Sequence, residues 1–301
     1  MERRSIRAAV LGSPIGHSLS PALHVAAYTA LGLTWWRYEA IECDEAMLSP
    51  LLDRCGPDWV GLSLTMPLKR AVLPLLDRLD PLVTEVGAAN TVLFAAEQRL
   101  GYNTDVPGIV RALGEYGVAA AAGTTSGDDS PGTSGQVGPV LILGGGATAC
   151  AAVAAMRDLG ERRVAVAVRE PARAAALMAA AQRLGVTVQL RPFDSASLTG
   201  ARLIISTVPA AAADDIARAL AGLRPRPDVV FDVSYHPWPS ALGRAAQQAG
   251  AVVVDGFELL LQQAALQVEL MTGRPAPLAE MRAAGRTELG RRAQMAARAK
   301  R

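Results

Sequence analysis

The stretch Val140-Leu141-Ile142-Leu143-Gly144-Gly145-Gly146-Ala147-Thr148-Ala149 decides the fold. Its four apolar residues predict a buried strand and its glycines a tight turn, and the residues after Gly146 predict a helix running to Leu159 and stopped by Gly160. Strand, glycine-rich turn and helix in that order form the arrangement that binds dinucleotides. Gly144 permits the turn, Gly146 lets a pyrophosphate reach backbone N–H groups, and Ala147 and Ala151 keep the helix close to the sheet. Strand-like runs continue at 164–168, 187–190, 203–207, 229–233 and 252–254, separated by helical stretches, as in a parallel sheet with helices on both faces. The second strand ends in Val168-Arg169-Glu170-Pro171-Ala172-Arg173. An acidic residue there reads as a ligand for a ribose 2′-hydroxyl, an arginine as a ligand for a 2′-phosphate. Arg169 and Arg173, four apart at a predicted helix start, grip a phosphate from two sides and favour NADP. Glu170 either pairs with Arg173 or holds a free ribose, which leaves NAD possible.

Upstream lies a second α/β block, with strand-like runs at 6–11, 35–41, 59–64 and 90–94 and helical ones at 21–31, 45–54 and 67–76, then a helix at 106–116 with Asp105 at its N-cap. Its first strand-to-helix junction is Gly12-Ser13-Pro14-Ile15-Gly16-His17-Ser18-Leu19-Ser20-Pro21. Pro21 suits the first helical position and Ser20 the N-cap. Free N–H groups at such a junction favour an anion, and Ser18 and Ser20, two apart, both point at one small carboxylate. The plainer alternative is that Ser20 only caps its helix and Ser18 is a solvated loop residue.

A chain of 301 residues, half of them hydrophobic and few aromatic, has room for two domains with buried parallel strands. A formal net charge of +2 gives no pull toward nucleic acid. Basic residues thicken from Arg282 to Arg301 without interleaved aromatics, which reads as a solvated helix or frayed end. Cys43, Cys55 and Cys150 have no paired spacing, so no disulfide framework and no structural metal site is expected, and a reducing cytoplasm suits them. No apolar stretch reaches the length of a membrane span, and the start leads straight into a strand rather than a signal segment. Residues 119–139, mostly small or polar and without apolar periodicity, predict a mobile insertion. The expected division is a substrate-binding domain at 1–105, a dinucleotide-binding domain at 106–256, and a helical tail at 274–301. The helix at 257–273, too apolar for a free surface, packs back near the first domain.

Gly61-Leu62-Ser63-Leu64-Thr65-Met66-Pro67-Leu68-Lys69 is a further strand-to-helix junction, with Lys69 at the unfavourable end of the helix macrodipole. Gly101-Tyr102-Asn103-Thr104-Asp105 places an amide and a carboxylate at another helix start. Such junctions converge at the carboxyl ends of the strands. They would gather Ser18, Ser20, Thr65, Lys69, Asn90, Asn103 and Asp105 into one polar cleft, suited to a small, hydroxyl-rich carboxylate.

With these residues in view, the chain resembles the shikimate dehydrogenase (shikimate/quinate dehydrogenase) family over nearly its whole length. The family's serine signature matches Gly12 to His24, its lysine motif Ser63 to Lys69, its asparagine segment Gly87 to Thr91, and its Asn-Thr-Asp motif Asn103 to Asp105. Asp232-Val233-Ser234-Tyr235 matches its nicotinamide-side tyrosine motif, and Asp255-Gly256 with Gln263 the segment that closes over substrate. The resemblance implies an N-terminal α/β substrate domain, a Rossmann-like dinucleotide-binding domain and a cleft between them. It implies an oxidoreductase of aromatic amino-acid and chorismate biosynthesis, which reversibly reduces 3-dehydroshikimate to shikimate with NADPH. Lys69 and Asp105 would be the acid–base pair, with the carrier of the proton left open. Ser18, Ser20, Ser63, Thr65, Asn90, Asp105, Tyr235 and Gln263 would bind substrate. Gly144, Gly145, Gly146, Ala147, Thr148, Ala149, Arg169, Arg173, Thr207, Val208, Val233 and Gly256 would bind cofactor. Neither metal nor nucleic acid nor membrane is implied, and the chain would act as a monomer or homodimer. Two other readings stand beside this one: an NAD-preferring quinate/shikimate dehydrogenase, which Glu170 favours, and a non-catalytic sensor of such ligands. Departures from the common pattern are Ser63 for asparagine, Val168 and Glu170 beside Arg169, Cys150 for arginine, and Glu258 for glycine.

Overall fold

The structure is a computed structural model and describes residues 5–118 and 139–299. Nearly all of the insertion expected at 119–139 lies outside the described residues. Two compact units result: residues 1–108 with 260–301, and residues 109–259. The chain leaves the first unit inside one helix and returns to it inside another.

The first unit begins with β1 (Ile6–Gly12), α1 (Ser20–Ala30), β2 (Trp36–Glu42), α2 (Glu45–Asp53), β3 (Trp59–Leu64) and a four-residue α3 (Leu68–Ala71). It continues through β4 (Arg78–Leu79), α4 (Pro81–Val86), β5 (Thr91–Ala95), β6 (Gln98–Tyr102) and α5 (Asp105–Glu115). Its sheet has the order β2-β1-β3-β5-β6-β4. The β2-β1-β3 side is parallel, while β5 runs antiparallel to both β3 and β6. The alternation of strand and helix thus predicts only half of this sheet; the hairpin of β5 and β6 turns at Ala96 and Glu97, both with positive φ.

The second unit contains β7 (Val140–Leu143), α6 (Ala147–Asp158), β8 (Arg163–Val168), α7 (Ala175–Leu184), β9 (Thr187–Pro192), β10 (Leu203–Ser206), α8 (Asp214–Leu220), β11 (Val229–Asp232), α9 (Ala241–Ala249) and β12 (Val252–Asp255). Every neighbouring pair in its six-stranded sheet is parallel. The order β9-β8-β7-β10-β11-β12 reverses direction beside β7, which is the doubly wound arrangement with its ligand crevice at the switch point. The continuous apolar run of β7 fits its central place, since all four residues are buried. Helix α6 is buried from Ala149 to Met156 because five of those eight residues are alanines, small enough to let the helix lie close on the sheet.

Two helices complete the chain, α10 (Gly256–Thr272) and α11 (Leu278–Ala299). Met271 of α10 joins Ala8, Val10, Tyr28 and Tyr38 in the core of the first unit. The basic tail is helical: α11 packs along α1 and buries Met281 just ahead of it, while most of its described residues from Arg286 onward are exposed, as expected of a solvated helix.

Candidate active site

The carboxyl ends of β1 and β3 are zipped together. Thr65 N–H donates to Leu11 O at 2.9 Å and Ser13 N–H to Met66 O at 2.9 Å. Gly12 is required there, since a Cβ on it would stand 2.3 Å from Thr65 Cγ2 and 2.9 Å from Met66 O. This close approach puts the serine loop and the lysine loop side by side. Glu42 ties down the serine loop from β2, accepting from Ile15 N–H at 3.0 Å. Hydrogen bonds from the Ser13 hydroxyl and the Ile15 amide hold its carboxyl below the usual range.

Within that loop the structure corrects one expectation. Leu19, not Ser20, is the N-cap of α1, and Ser20 is the first helical residue, buried, with its N–H 3.3 Å from Ser18 Oγ. Asn103 and Asp105 are corrected in the same sense. Asn103 Oδ1 accepts from the N–H groups of Asp105 (3.1 Å) and Val106 (3.3 Å), and its amide donates to Ala88 O at 2.9 Å. Asn103 therefore caps α5 and belongs to the scaffold, which leaves the Asp105 carboxylate for other work.

That carboxylate accepts from Lys69 Nζ at 2.6 Å through Oδ2 and from Asn90 Nδ2 at 3.0 Å through Oδ1. The pair is largely withdrawn from water, with 16% of the Lys69 side chain and 6% of the Asp105 side chain exposed. Helix α3 is too short to supply the macrodipole expected at Lys69, so Asp105 is its electrostatic partner. Asn90 fixes the arrangement. Thr104 N–H, which can only donate, meets Asn90 Oδ1 at 2.8 Å, so the other face of the amide must present Nδ2 toward Asp105. Asn90 Nδ2 also reaches Thr104 Oγ1 at 2.9 Å and Gln263 Oε1 at 3.3 Å.

Ser63 turns away from this pair. Its hydroxyl accepts from Tyr38 O–H at 2.7 Å and donates to Gln267 Oε1 at 2.7 Å. Gln267 Nε2 in turn donates to Asn90 O (3.1 Å) and Thr91 Oγ1 (2.9 Å). Ser63 is thus the middle of a buried chain running from Tyr38 to Asn90. Gln267 and Thr104 escape a reading of the sequence. The available signal is Gln267 one turn after Gln263 on an otherwise apolar helix, two amides at a spacing that shares a face.

His24 stacks on Tyr38 with ring centroids 3.9 Å apart. Burial drives its pKa down to about 3, against a weaker opposing contact with Gln267, so the ring is neutral. Burial likewise raises the Tyr38 phenol, eased by Ser63 and Ser20. The unfolded chain binds a proton at His24 below about pH 6.5 and the folded chain does not. Stability is therefore full above that pH and is lost as pH falls toward 3. We expect denaturant titrations between pH 4 and 6.5 to show a slope of about 1.4 kcal/mol per pH unit from this residue. In His24→Phe that share of the slope should vanish; an unchanged slope would refute it.

In the second unit, the glycine turn takes the shape its sequence predicts. Gly144 has φ +110°, and a Cβ there would stand 2.7 Å from Thr207 Oγ1. Thr207 itself bonds Leu143 O through Oγ1 at 2.8 Å. Gly146 is the extended N-cap of α6, has no side-chain capping bond, and a Cβ on it would meet nothing within 4 Å. The first-turn N–H groups of Ala147, Thr148 and Ala149 are thus left to a ligand, and a pyrophosphate fits this cradle. Gly145 lies against Val168, and Val208 beside Gly144. Gly256 closes onto Val233, and Tyr235 is half-buried in the loop after β11.

At the end of β8 the expected α-helical start is a 3₁₀ turn over Pro171–Ala174. Residues three apart eclipse in that geometry. Arg173 accordingly pairs with Glu170, Nε to Oε2 at 2.8 Å, instead of sharing a site with Arg169. Arg169 lies over the Phe193 ring at 5.3 Å and donates to Ala212 O at 3.1 Å. The Arg173–Glu170 pair is 80% and 60% exposed, so it is weak. Glu258, the departure near Gly256, is buried, and its N–H donates to Asp255 Oδ1 at 3.2 Å. Among the described residues no cluster of His, Cys, Asp and Glu is placed to hold a metal, and no helix is long and apolar enough to cross a membrane.

Comparison with known proteins agrees with this geometry. The family model for the shikimate dehydrogenase substrate binding domain matches residues 10–92, and that for the shikimate 5′-dehydrogenase C-terminal domain matches residues 256–284. The shikimate dehydrogenase (NADP(+)) of Thermus thermophilus is 35% identical over 286 residues, covering 95% of this chain and 99% of the relative. Among solved structures, Mycobacterium tuberculosis shikimate dehydrogenase is 39% identical with a TM-score of 0.81, covering 94% of this chain and 99% of that one. The Thermus thermophilus enzyme in complex with NADP(H) and shikimate is 31% identical with a TM-score of 0.75, again covering 94% and 99%. The chain belongs to the shikimate dehydrogenase family.

Proposed function

We propose that this chain reversibly reduces 3-dehydroshikimate to shikimate with NADPH, using Lys69 as proton donor and Asp105 as its partner. The observation that carries the assignment of roles is the Lys69–Asp105–Asn90 arrangement. Asp105 Oδ1 accepts from the Asn90 amide and Oδ2 faces the Lys69 nitrogen at 2.6 Å, which supports a carboxylate aiming a lysine proton donor. When bound, NADPH supplies a hydride to the carbonyl carbon. Lys69 Nζ gives its proton to the developing alkoxide, and Asp105 stabilises the ammonium before transfer and aims it. In the oxidising direction the same nitrogen takes the hydroxyl proton. A purely sensory protein has no need of such a buried, oriented proton carrier.

Ser18 and Ser20 are assigned to the substrate carboxylate and Thr65, Asn90 and Gln263 to the ring hydroxyls. Gln263 reaches this task by turning, since Nε2 now donates to Leu260 O at 2.8 Å. Ser63 is assigned to support instead, because its donor is committed to Gln267. Tyr235 is assigned to the substrate from the side of the nicotinamide. Ala147, Thr148 and Ala149 are assigned to the pyrophosphate, Arg169 and Arg173 to the 2′-phosphate, and Thr207, Val208, Val233 and Gly256 to the rest of the cofactor. The three cysteines are thiols, which supports a cytoplasmic place. Every substrate-side residue but Tyr235 comes from the first unit of one chain, so a monomer or a homodimer serves equally well.

The test is kcat/KM for shikimate and for quinate with NADP and with NAD. Shikimate with NADP should lead each alternative by about tenfold or more. A lead for NAD would transfer the role at the end of β8 to Glu170, and a lead for quinate would overturn the substrate.

A further inference from the structure

Helix α11 reaches back to the serine loop through one side chain. Arg292 Nη1 donates to His17 O at 2.7 Å and Nη2 to Ser18 O at 3.0 Å. Its Nε donates to Glu288 Oε1 at 2.7 Å, one helical turn away. Arg291 engages the same carboxylate twice at 2.7 Å. Those bonds hold the Glu288 carboxyl at about 2, so it is ionised wherever the enzyme works and keeps Arg292 aimed. Arg292 lies beyond the segment matched by the family's C-terminal domain, which stops at residue 284.

The two carbonyls that Arg292 holds flank the peptide from which the Ser18 side chain departs. The other side of the same loop is fixed by Ile15, whose N–H meets Glu42 and whose carbonyl accepts from Ser18 N–H at 2.9 Å. We propose that Arg292 is a positioning residue for the substrate carboxylate, clamping the His17 and Ser18 carbonyls so that the Ser18 and Ser20 hydroxyls are presented as a pair. A charged, forked donor suits this task because it satisfies two carbonyls in fixed geometry. With two guanidiniums against one carboxylate, the cluster also leaves a positive charge beside the loop that receives an anion. The inference rests on the assignment of Ser18 and Ser20 to that carboxylate.

Steady-state kinetics on the full chain test it, with Arg292→Met as the main variant, since methionine keeps the apolar stem and removes the donors. KM for shikimate should rise about tenfold, while kcat and KM for NADP stay within about twofold. A general loosening of the fold would move all three. Arg292→Lys, which keeps the charge and one carbonyl contact, should recover part of the loss, and Arg291→Met, which supports Glu288 but leaves both carbonyl contacts of Arg292 in place, should raise KM less than Arg292→Met does. A shikimate KM within about twofold of wild type in Arg292→Met overturns the proposal. If that variant does not fold, a wild-type KM in Arg292→Lys overturns it instead. Ser18→Ala in the same assay separates the two readings. A raised KM there with none in Arg292→Met removes the clamp alone, and no change in either removes the carboxylate assignment as well.

Discussion

Replacing Lys69 with methionine should lower kcat for shikimate oxidation roughly a thousandfold, within the range for loss of a positioned acid–base group, and leave NADP affinity unchanged. Methionine preserves the length of the stem, so the substitution removes a proton carrier and little volume. Asp105 would then keep one of its two donors, Asn90 Nδ2, and remain a carboxylate with no proton to offer the alkoxide. The cofactor cradle is built from Gly144 to Ala149 of the other unit, and Lys69 is no part of it. The signature is therefore a fall in kcat with little change in cofactor KM, which marks an interaction made in the transition state. Turnover within about tenfold of wild type would show that another group moves the proton. Asp105→Asn in the same assay should also be slow, because an amide leaves the ammonium unbalanced and presents Asn90 with a competing donor.

Gly256→Ala should have the largest effect on folding. A Cβ there would stand 2.0 Å from the carbonyl oxygen of Val233 and 2.2 Å from its carbonyl carbon. Both obstacles are backbone, so no side chain can swing aside. Asp232 and Asp255 are register partners in β11 and β12, so the clash falls just past the last rung of a parallel pair and must force the two chains apart. A loss of about 3 kcal/mol or more is expected, at the upper end of overpacking costs. Calorimetry would show it as a marked fall in Tm, with NADP affinity falling too. Gly146→Ala makes the contrast, because it has open space at Cβ: it should fold normally and weaken NADP alone. Equal Tm values for the two alanine variants would refute the steric account.

How much of the structure is legible in the sequence depends on the length and regularity of each signal. The second unit is almost wholly legible, because parallel strands buried on both faces are uninterrupted apolar runs and the glycine turn needs Gly144 at positive φ. In the first unit β4, only two residues long, and β6, with a mixed pattern, carry too little periodicity to be seen. Pro14 and Pro67 mark loops in sequence but do not tell that those loops lie against each other; Gly12 does so only once its missing Cβ is placed. At the site, residue types at strand ends suffice to collect Lys69, Asn90 and Asp105. They do not say which polar groups serve the scaffold. Asn103 rather than Asp105 caps α5 through N–H groups two and three residues on, a choice that two neighbouring candidates leave open, and Ser63 faces inward because its partner Gln267 lies 204 residues along the chain. Arg292 is invisible for the same reason, being 275 residues from His17.

The division of the chain also bears on how the protein is made. Residues 109–259 form a contiguous unit and can fold as they leave the ribosome, domain by domain. The unit begun earlier cannot finish then, since Gln263, Gln267 and Arg292 are synthesised after it. Cofactor binding should therefore mature before substrate binding on a nascent chain, and a message truncated between the codons for Gly273 and Arg292 would yield a protein that takes up NADP yet holds shikimate poorly.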